Sequence, residues 1–95
     1  MDVSGLEPPE PLVETLEAAQ RLGRGGYLRM LHRREPCLLF PYLDRAGFGY
    51  EVRRGRRTAV EVFIWRDGDA AAETAARAAA AALPPWDGGE GGAVE

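Results

Sequence analysis

The sequence has few residue types that build covalent or metal cross-links. Among its 95 residues it has one cysteine, one histidine, and no lysine or asparagine. One cysteine excludes an intramolecular disulfide and a multi-cysteine zinc site, and one histidine excludes a histidine-rich metal cage. No apolar run approaches the ~20 residues that span a bilayer. The acidic N-terminus lacks a signal-peptide core. We therefore expect a cytoplasmic protein with room for one small domain.

Charge divides the chain into two parts. Residues 1–66 have 11 arginines against 9 acidic residues, which gives +2, whereas residues 67–95 have 1 against 6, which gives −5. Most of the 15 alanines also lie in the second part. This division predicts a near-neutral folded domain at 1–66, followed by a segment of different character.

Two helices are predicted in the first part. Apolar residues recur at helical spacing from residue 12 to residue 22, and Pro11 suits the first position of a helix. The expected helix therefore covers residues 11–22. A second helix is expected at 38–46, after Pro36 and before Gly47.

Four strands complete the expected fold. Apolar content and alternation predict strands at 2–5, 27–32, 48–52 and 58–65, joined at the last hairpin by Arg53–Arg57 with Gly55 as the turn residue. Two right-handed crossovers between parallel neighbours and a final hairpin follow from this order. We predict a βαβαββ two-layer α/β sandwich, in which both helices lie on one face of a four-stranded mixed sheet.

The second part of the chain is expected to add little to the fold. Residues 67–83 are rich in alanine, and Asp69 could cap a helix there. Such a helix has little of its own to bury and is marginal unless it is docked. Residues 84–95 are predicted to form a disordered, acidic, glycine-rich tail.

The order of several segments resembles a known bacterial family. The matching segments are Ser4–Leu12, Leu31–Pro36, Phe40–Leu43, Ala46–Phe48 and Tyr50–Arg53. They are similar to the family catalogued as domain of unknown function 2249, a relative of the TusA/SirA-like sulfur carriers. The resemblance implies their fold over residues 2–66.

The same resemblance argues against sulfur transfer. In TusA-like carriers the turn before the first helix reads Gly-Leu-x-Cys-Pro-x-Pro, and its cysteine carries the persulfide. Here Gly5–Pro11 keeps both prolines, but Pro8 stands where the cysteine would be. Because proline has no nucleophile, we expect a non-catalytic binding or adaptor module without a cofactor, and no catalytic residues.

The candidate site is the sheet edge where both helices begin, where exposed helix N–H groups attract acidic groups of a protein partner. We predict that it is formed by Glu7, Glu10, His32, Arg34, Glu35 and Cys37. One alternative is a metal site of Glu10, His32 and Glu35. Another is a plain surface loop, in which the glutamates pair with Arg33 or Arg34.

Two further functions stay open at this point. Cys37, with arginines just upstream, could be the thiol of a sulfur or redox carrier; the alternative is a small, partly buried apolar residue. The hairpin arginines Arg53, Arg54, Arg56 and Arg57 could contact RNA phosphates. A solvated hairpin is the favoured interpretation, because no aromatic signature accompanies them.

Overall fold

The structure is a computed structural model that describes residues 1–87. Its elements are α1 (Glu10–Gln20), β1 (Leu28–His32), α2 (Leu39–Ala46), β2 (Phe48–Arg54), β3 (Val60–Arg66) and α3 (Ala70–Ala80). From α1 to β3 the order of helices and strands is the predicted one. No helix in residues 1–87 is long and apolar enough to cross a membrane.

Within residues 1–87, the sheet has three strands and is antiparallel throughout. Its order is β1-β3-β2, with Met30 opposite Val62 on one side and Val52 opposite Val62 on the other. β3 is the central strand, and Val60–Trp65 is buried at every position because both faces of this strand are covered. The predicted four-stranded mixed sheet is therefore wrong. β1 and β2 do run in the same direction, but β3 lies between them.

The expected first strand is reduced to one bridge. Asp2 pairs with Leu31 in parallel, with Val3 N–H donating to Leu31 O at 2.9 Å and Leu31 N–H donating to Met1 O at 2.7 Å. The pairing then stops because the Asp2 carboxylate accepts hydrogen bonds from the N–H and the hydroxyl of Ser4, at 2.9 and 2.6 Å. Such a local side-chain turn competes with a sheet ladder.

Alternation along β3 divides the core into two. Val62 and Ile64 face the core that α1 and α2 cover, whereas Phe63 and Trp65 face the core that α3 covers. The first two helices share one face, as expected. The third helix lies on the opposite face, so the fold has three layers, where two were predicted.

Docking of α3 is the largest departure from the sequence-based expectation. Ala72, Ala76 and Ala80 are fully buried and pack with Phe63 and Trp65. The helix itself buries only methyl groups, but its small side chains bring its backbone close to two aromatic rings and remove those rings from water. The expectation that this helix has little to bury considered the helix alone and overlooked the aromatic rings of Phe63 and Trp65, which the sheet contributes to the contact.

An aspartate ties the start of α3 to the rest of the domain. Asp69 accepts a hydrogen bond from Ala72 N–H at 3.1 Å, which caps the helix as predicted, and another from Gly25 N–H at 2.7 Å. These two bonds lower the pKa of the Asp69 carboxyl. The helix start is therefore fixed to the loop before β1.

The segment after α3 lies beside β2. Arg54 N–H donates to Pro84 O at 3.0 Å, Arg53 forms a bridge with Pro85, and the Arg54 guanidinium pairs with Asp87 at 2.6 Å. Residues 84, 85 and 87 of the predicted tail at 84–95 thus have partners on β2. Residues 88–95 lie outside the described part of the chain.

Candidate functional site

The starts of α1 and α2 enclose an apolar cleft of about 330 Å³. β1 ends at His32, and the chain turns through Pro36 into α2, beside the Pro8–Pro9 turn that precedes α1. The lining residues are Pro8, Pro9, Pro11, Leu12, His32, Arg34, Glu35, Pro36, Cys37, Leu38 and Leu39. This is the edge at which the sequence places the candidate site.

His32 is a buried polar residue in this lining. Its side chain is 6% exposed, and its enclosed Nδ1 has no hydrogen-bond partner among residues 1–87. Burial lowers the pKa of the imidazole, the positive charges of Arg33 and Arg34 lower it further, and Asp2 opposes them. The ring is therefore neutral at neutral pH.

Arg34 and Glu35 are the charged members of the lining. Arg34 is exposed and Glu35 is half-buried. Neither side chain forms a hydrogen bond or an ion pair with any residue in the described range. Within residues 1–87, the pairing of Glu35 or Glu10 with Arg33 or Arg34 that the surface-loop alternative requires is not found.

Glu7 and Glu10 lie outside the cleft lining. Glu7 pairs with Arg33 at 3.7 Å, and this contact is exposed, so it contributes little to stability. Glu10 is exposed in the first turn of α1. Neither helix start has a side-chain cap, so the two glutamates do not occupy the helix N–H groups.

Cys37 is exposed and lines the cleft, with its N–H donating to Glu35 O at 2.9 Å. The thiol therefore lies at the predicted edge rather than in the core. In the described part of the chain, no three His, Cys, Asp or Glu side chains are arranged to hold a metal ion. The alternative metal site of Glu10, His32 and Glu35 is not assembled.

The sequence analysis missed three exposed apolar residues, one in the cleft lining and two that lie one helical turn from a lining residue. Leu38 is 78% exposed, and Tyr42, one helical turn further along α2, is 48% exposed. Val13, one turn after Pro9 on α1, is 43% exposed. The available signal was that α2 has two apolar stripes, only one of which, with Leu39 and Leu43, can face the sheet.

The hairpin arginines are mostly occupied by the chain's own C-terminal part. Arg53 pairs with Glu51 and donates to Leu83 O at 3.3 Å, and Arg56 donates to Ala82 O at 3.3 Å. Arg54 pairs with Asp87 and lies over the Trp86 ring at 5.6 Å. These contacts place the basic cluster in the packing of residues 82–87.

Comparison with known proteins gives one match. The family model described as "Uncharacterized conserved protein (DUF2249)" matches residues 1–66, more than half of the chain. The match ends at Arg66, the last residue of β3, so it includes the cleft and excludes α3. No curated protein and no solved structure matches the chain.

Proposed function

This chain belongs to the DUF2249 family, and from that premise we propose that it is a non-catalytic binding module whose cleft receives an apolar segment of a protein partner. The family match covers the whole cleft lining, so the proposal concerns the matched part of the chain. A relation to the TusA/SirA-like carriers, and a cytoplasmic location, stay predictions from the sequence.

The observation that carries the proposal is the exposed leucine at the mouth of the cleft. Leu38 lines the cleft and leaves 78% of its surface in water. Tyr42 and Val13 extend the apolar surface one helical turn away from the cleft along both helices. A small ligand in the cleft would leave these outer residues uncovered, whereas a polypeptide would cover them. An exposed apolar surface of this kind is typical of a protein interface.

Two features support binding over chemistry. Pro8 stands where the TusA resemblance would place the carrier cysteine, and Nδ1 of His32 has no hydrogen-bond partner among residues 1–87. The occupied arginines of the hairpin favour the cleft over an RNA-binding role for that hairpin. A thiol carrier using Cys37 is the second candidate, because this cysteine is exposed in the same cleft.

The proposal is tested by measuring whether a substitution at Leu38 weakens the binding of a partner protein. The full chain captures partners from its source cell, mass spectrometry identifies them, and calorimetry measures the affinity of each purified candidate. Burying one leucine contributes about 1.5–3 kcal/mol, and 1.4 kcal/mol corresponds to tenfold in affinity. We expect Leu38→Asp to weaken binding at least about tenfold.

Matched variants separate the alternatives. Ala75→Asp adds the same charge on the exposed side of α3, on the opposite face of the sheet, and should bind normally. Cys37→Ser should also bind normally; if it alone abolishes binding, the thiol-carrier function is favoured. Undiminished binding by Leu38→Asp, with loss in Arg54→Ala or Arg56→Ala, would place the interface at the hairpin and refute the proposal.

A further inference from the structure

Leu38 and the cleft beside it place an exposed apolar side chain and an apolar cavity on one surface. The cleft has a volume of about 330 Å³, and its walls are mostly proline and leucine. Leu38 is 78% exposed, more than any other large apolar side chain within residues 1–87. In a two-fold dimer the same patch of each copy contacts the other, so one patch must supply both the inserted side chain and its cavity. This surface has both.

The two helices that border the cleft contact each other and run in the same direction. Both begin at the cleft, because Pro9 and Leu38, which precede α1 and α2, belong to its lining. They lead into β1 and β2, which run in the same direction on either side of β3. Residues equally far from the two helix starts therefore lie equally far along the groove between the helices.

The two sides of this groove have opposite net charge. Residues 10–21 contain three glutamates and one arginine, which gives −2. Residues 33–46 contain three arginines, one glutamate and one aspartate, which gives +1. Glu17 on the first side is exposed and forms no ion pair within residues 1–87. The same holds for Arg45 on the second side, whose guanidinium lies over the Tyr42 ring of its own helix at 5.2 Å.

These charges favour one orientation of two copies. A two-fold axis along the groove places α1 of each copy over α2 of the other, so sides of opposite charge meet. An axis across the groove would place α1 over α1 and bring glutamates together, which is unfavourable. The first axis keeps each residue at its distance along the groove. Glu17 is seven residues after the start of α1 and Arg45 is six after the start of α2, so they face each other across the two copies.

We propose that this surface binds a second copy of the chain about the axis along the groove. Leu38 of each copy enters the cleft of the other, Val13 and Tyr42 pack around it, and Glu17 of each copy pairs with Arg45 of the other. The proposal rests on the proposed function and names the partner. Because α1 is only about 16 Å long, the interface is small, and we expect a transient dimer with a dissociation constant of roughly micromolar size.

The experiment measures the monomer–dimer equilibrium of the full chain by analytical ultracentrifugation, from about 1 µM to about 1 mM. Leu38→Asp places a carboxylate in each apolar contact and should weaken dimerisation at least about tenfold. Ala75→Asp is the matched control, because it adds the same charge on the exposed side of α3, on the opposite face of the sheet. It should dimerise as the wild type does.

Charge reversal tests the orientation. Glu17→Arg and Arg45→Glu each place like charges opposite each other twice per dimer, and each should weaken dimerisation about three- to tenfold. The double variant exchanges the two charges and should recover the affinity of the wild type. Arg57→Glu reverses an exposed charge of the hairpin and should change nothing. A role of Glu17 or Arg45 in folding alone would not produce this recovery.

Three outcomes would overturn the proposal. If the chain stays monomeric up to about 1 mM, a second copy is not the partner, and the capture experiment with Leu38→Asp decides the proposed function separately. If the chain dimerises and Leu38→Asp dimerises equally well, the interface lies elsewhere on the molecule. If Leu38→Asp weakens the dimer but the double charge variant does not recover, the orientation with α1 over α2 is wrong.

Discussion

His32 lines the cleft. The Nδ1 atom of its imidazole is buried and has no hydrogen-bond partner in the described part of the chain. A buried ring nitrogen without a partner costs free energy, and a buried imidazolium would cost more. Both the burial and the charges of Arg33 and Arg34 favour the neutral ring, whereas Asp2 favours the charged ring. The net effect is a pKa below the ordinary value of 6.5.

This lowered pKa makes stability depend on pH in a defined direction. The unfolded chain takes up the proton at higher pH than the folded chain does, so the free energy of unfolding is largest above pH 6.5 and falls as the pH drops below it. His32 is the only histidine. We predict that His32→Gln has a smaller change in unfolding free energy between about pH 7.5 and pH 5 than the wild type, in urea titrations followed by circular dichroism.

This test compares how the unfolding free energy of each protein changes with pH. A destabilisation by the glutamine that is equal at every pH therefore does not affect the result. Equal slopes in the two proteins would show that His32 titrates alike in the folded and unfolded chains. The account of the buried, neutral ring would then be wrong.

At the scale of elements, α3 depends on alanine at three buried positions. Ala72, Ala76 and Ala80 lie one turn apart and pack in one buried cluster with Phe63 and Trp65. Arg77 secures the helix from its edge, pairing with Glu73 and Glu51 and lying over the Trp65 ring at 4.9 Å. These contacts make the helix part of the fold.

Enlarging one buried alanine tests this packing. Ala76→Leu should destabilise the protein by about 1–3 kcal/mol, because extra methylenes in a filled contact force the helix outwards. For a domain of this size ~1 kcal/mol lowers the melting temperature by ~4–8 °C. The neighbouring Ala75 is exposed, so Ala75→Leu should change the melting temperature little. Similar melting temperatures for the two variants would mean that α3 does not pack as described.

The elements themselves were largely predictable, but their arrangement was not. Periodicity predicts the bounds of α2 and the start of β2 almost to the residue, because Gly47, with φ at 87°, ends the helix and the apolar alternation begins the strand. Which strand lies in the centre depends on pairing between distant segments, which no local pattern encodes. The docking of α3 depends on Phe63 and Trp65. Their side chains lie on the sheet face opposite α1 and α2, and this apolar face would be exposed to water without α3.

For the whole molecule, the cleft and α3 occupy opposite sides of the sheet. The family match spans the side with the cleft and ends before α3, so the cleft belongs to the shared part of the chain. The sequence places the candidate site at the edge where both helices begin, and the cleft lies at that edge. The residues that line the cleft are predicted less completely. Glu7 and Glu10 lie outside the cleft lining, and the exposure of Leu38 depends on how α2 is rotated on the sheet.

The central claim, that partners bind in this cleft, can be tested by blocking it chemically. Cys37 is the only cysteine, is exposed and lines the cleft. Alkylation of its thiol by N-ethylmaleimide therefore places a bulky group in the cleft and modifies no other thiol. The measurement is the affinity of the full chain for its captured partner before and after this alkylation, with Cys37→Ser treated in parallel. We predict that alkylation abolishes binding by the wild type, whereas Cys37→Ser binds equally with and without the reagent. Unchanged affinity of the fully alkylated wild type would contradict the account.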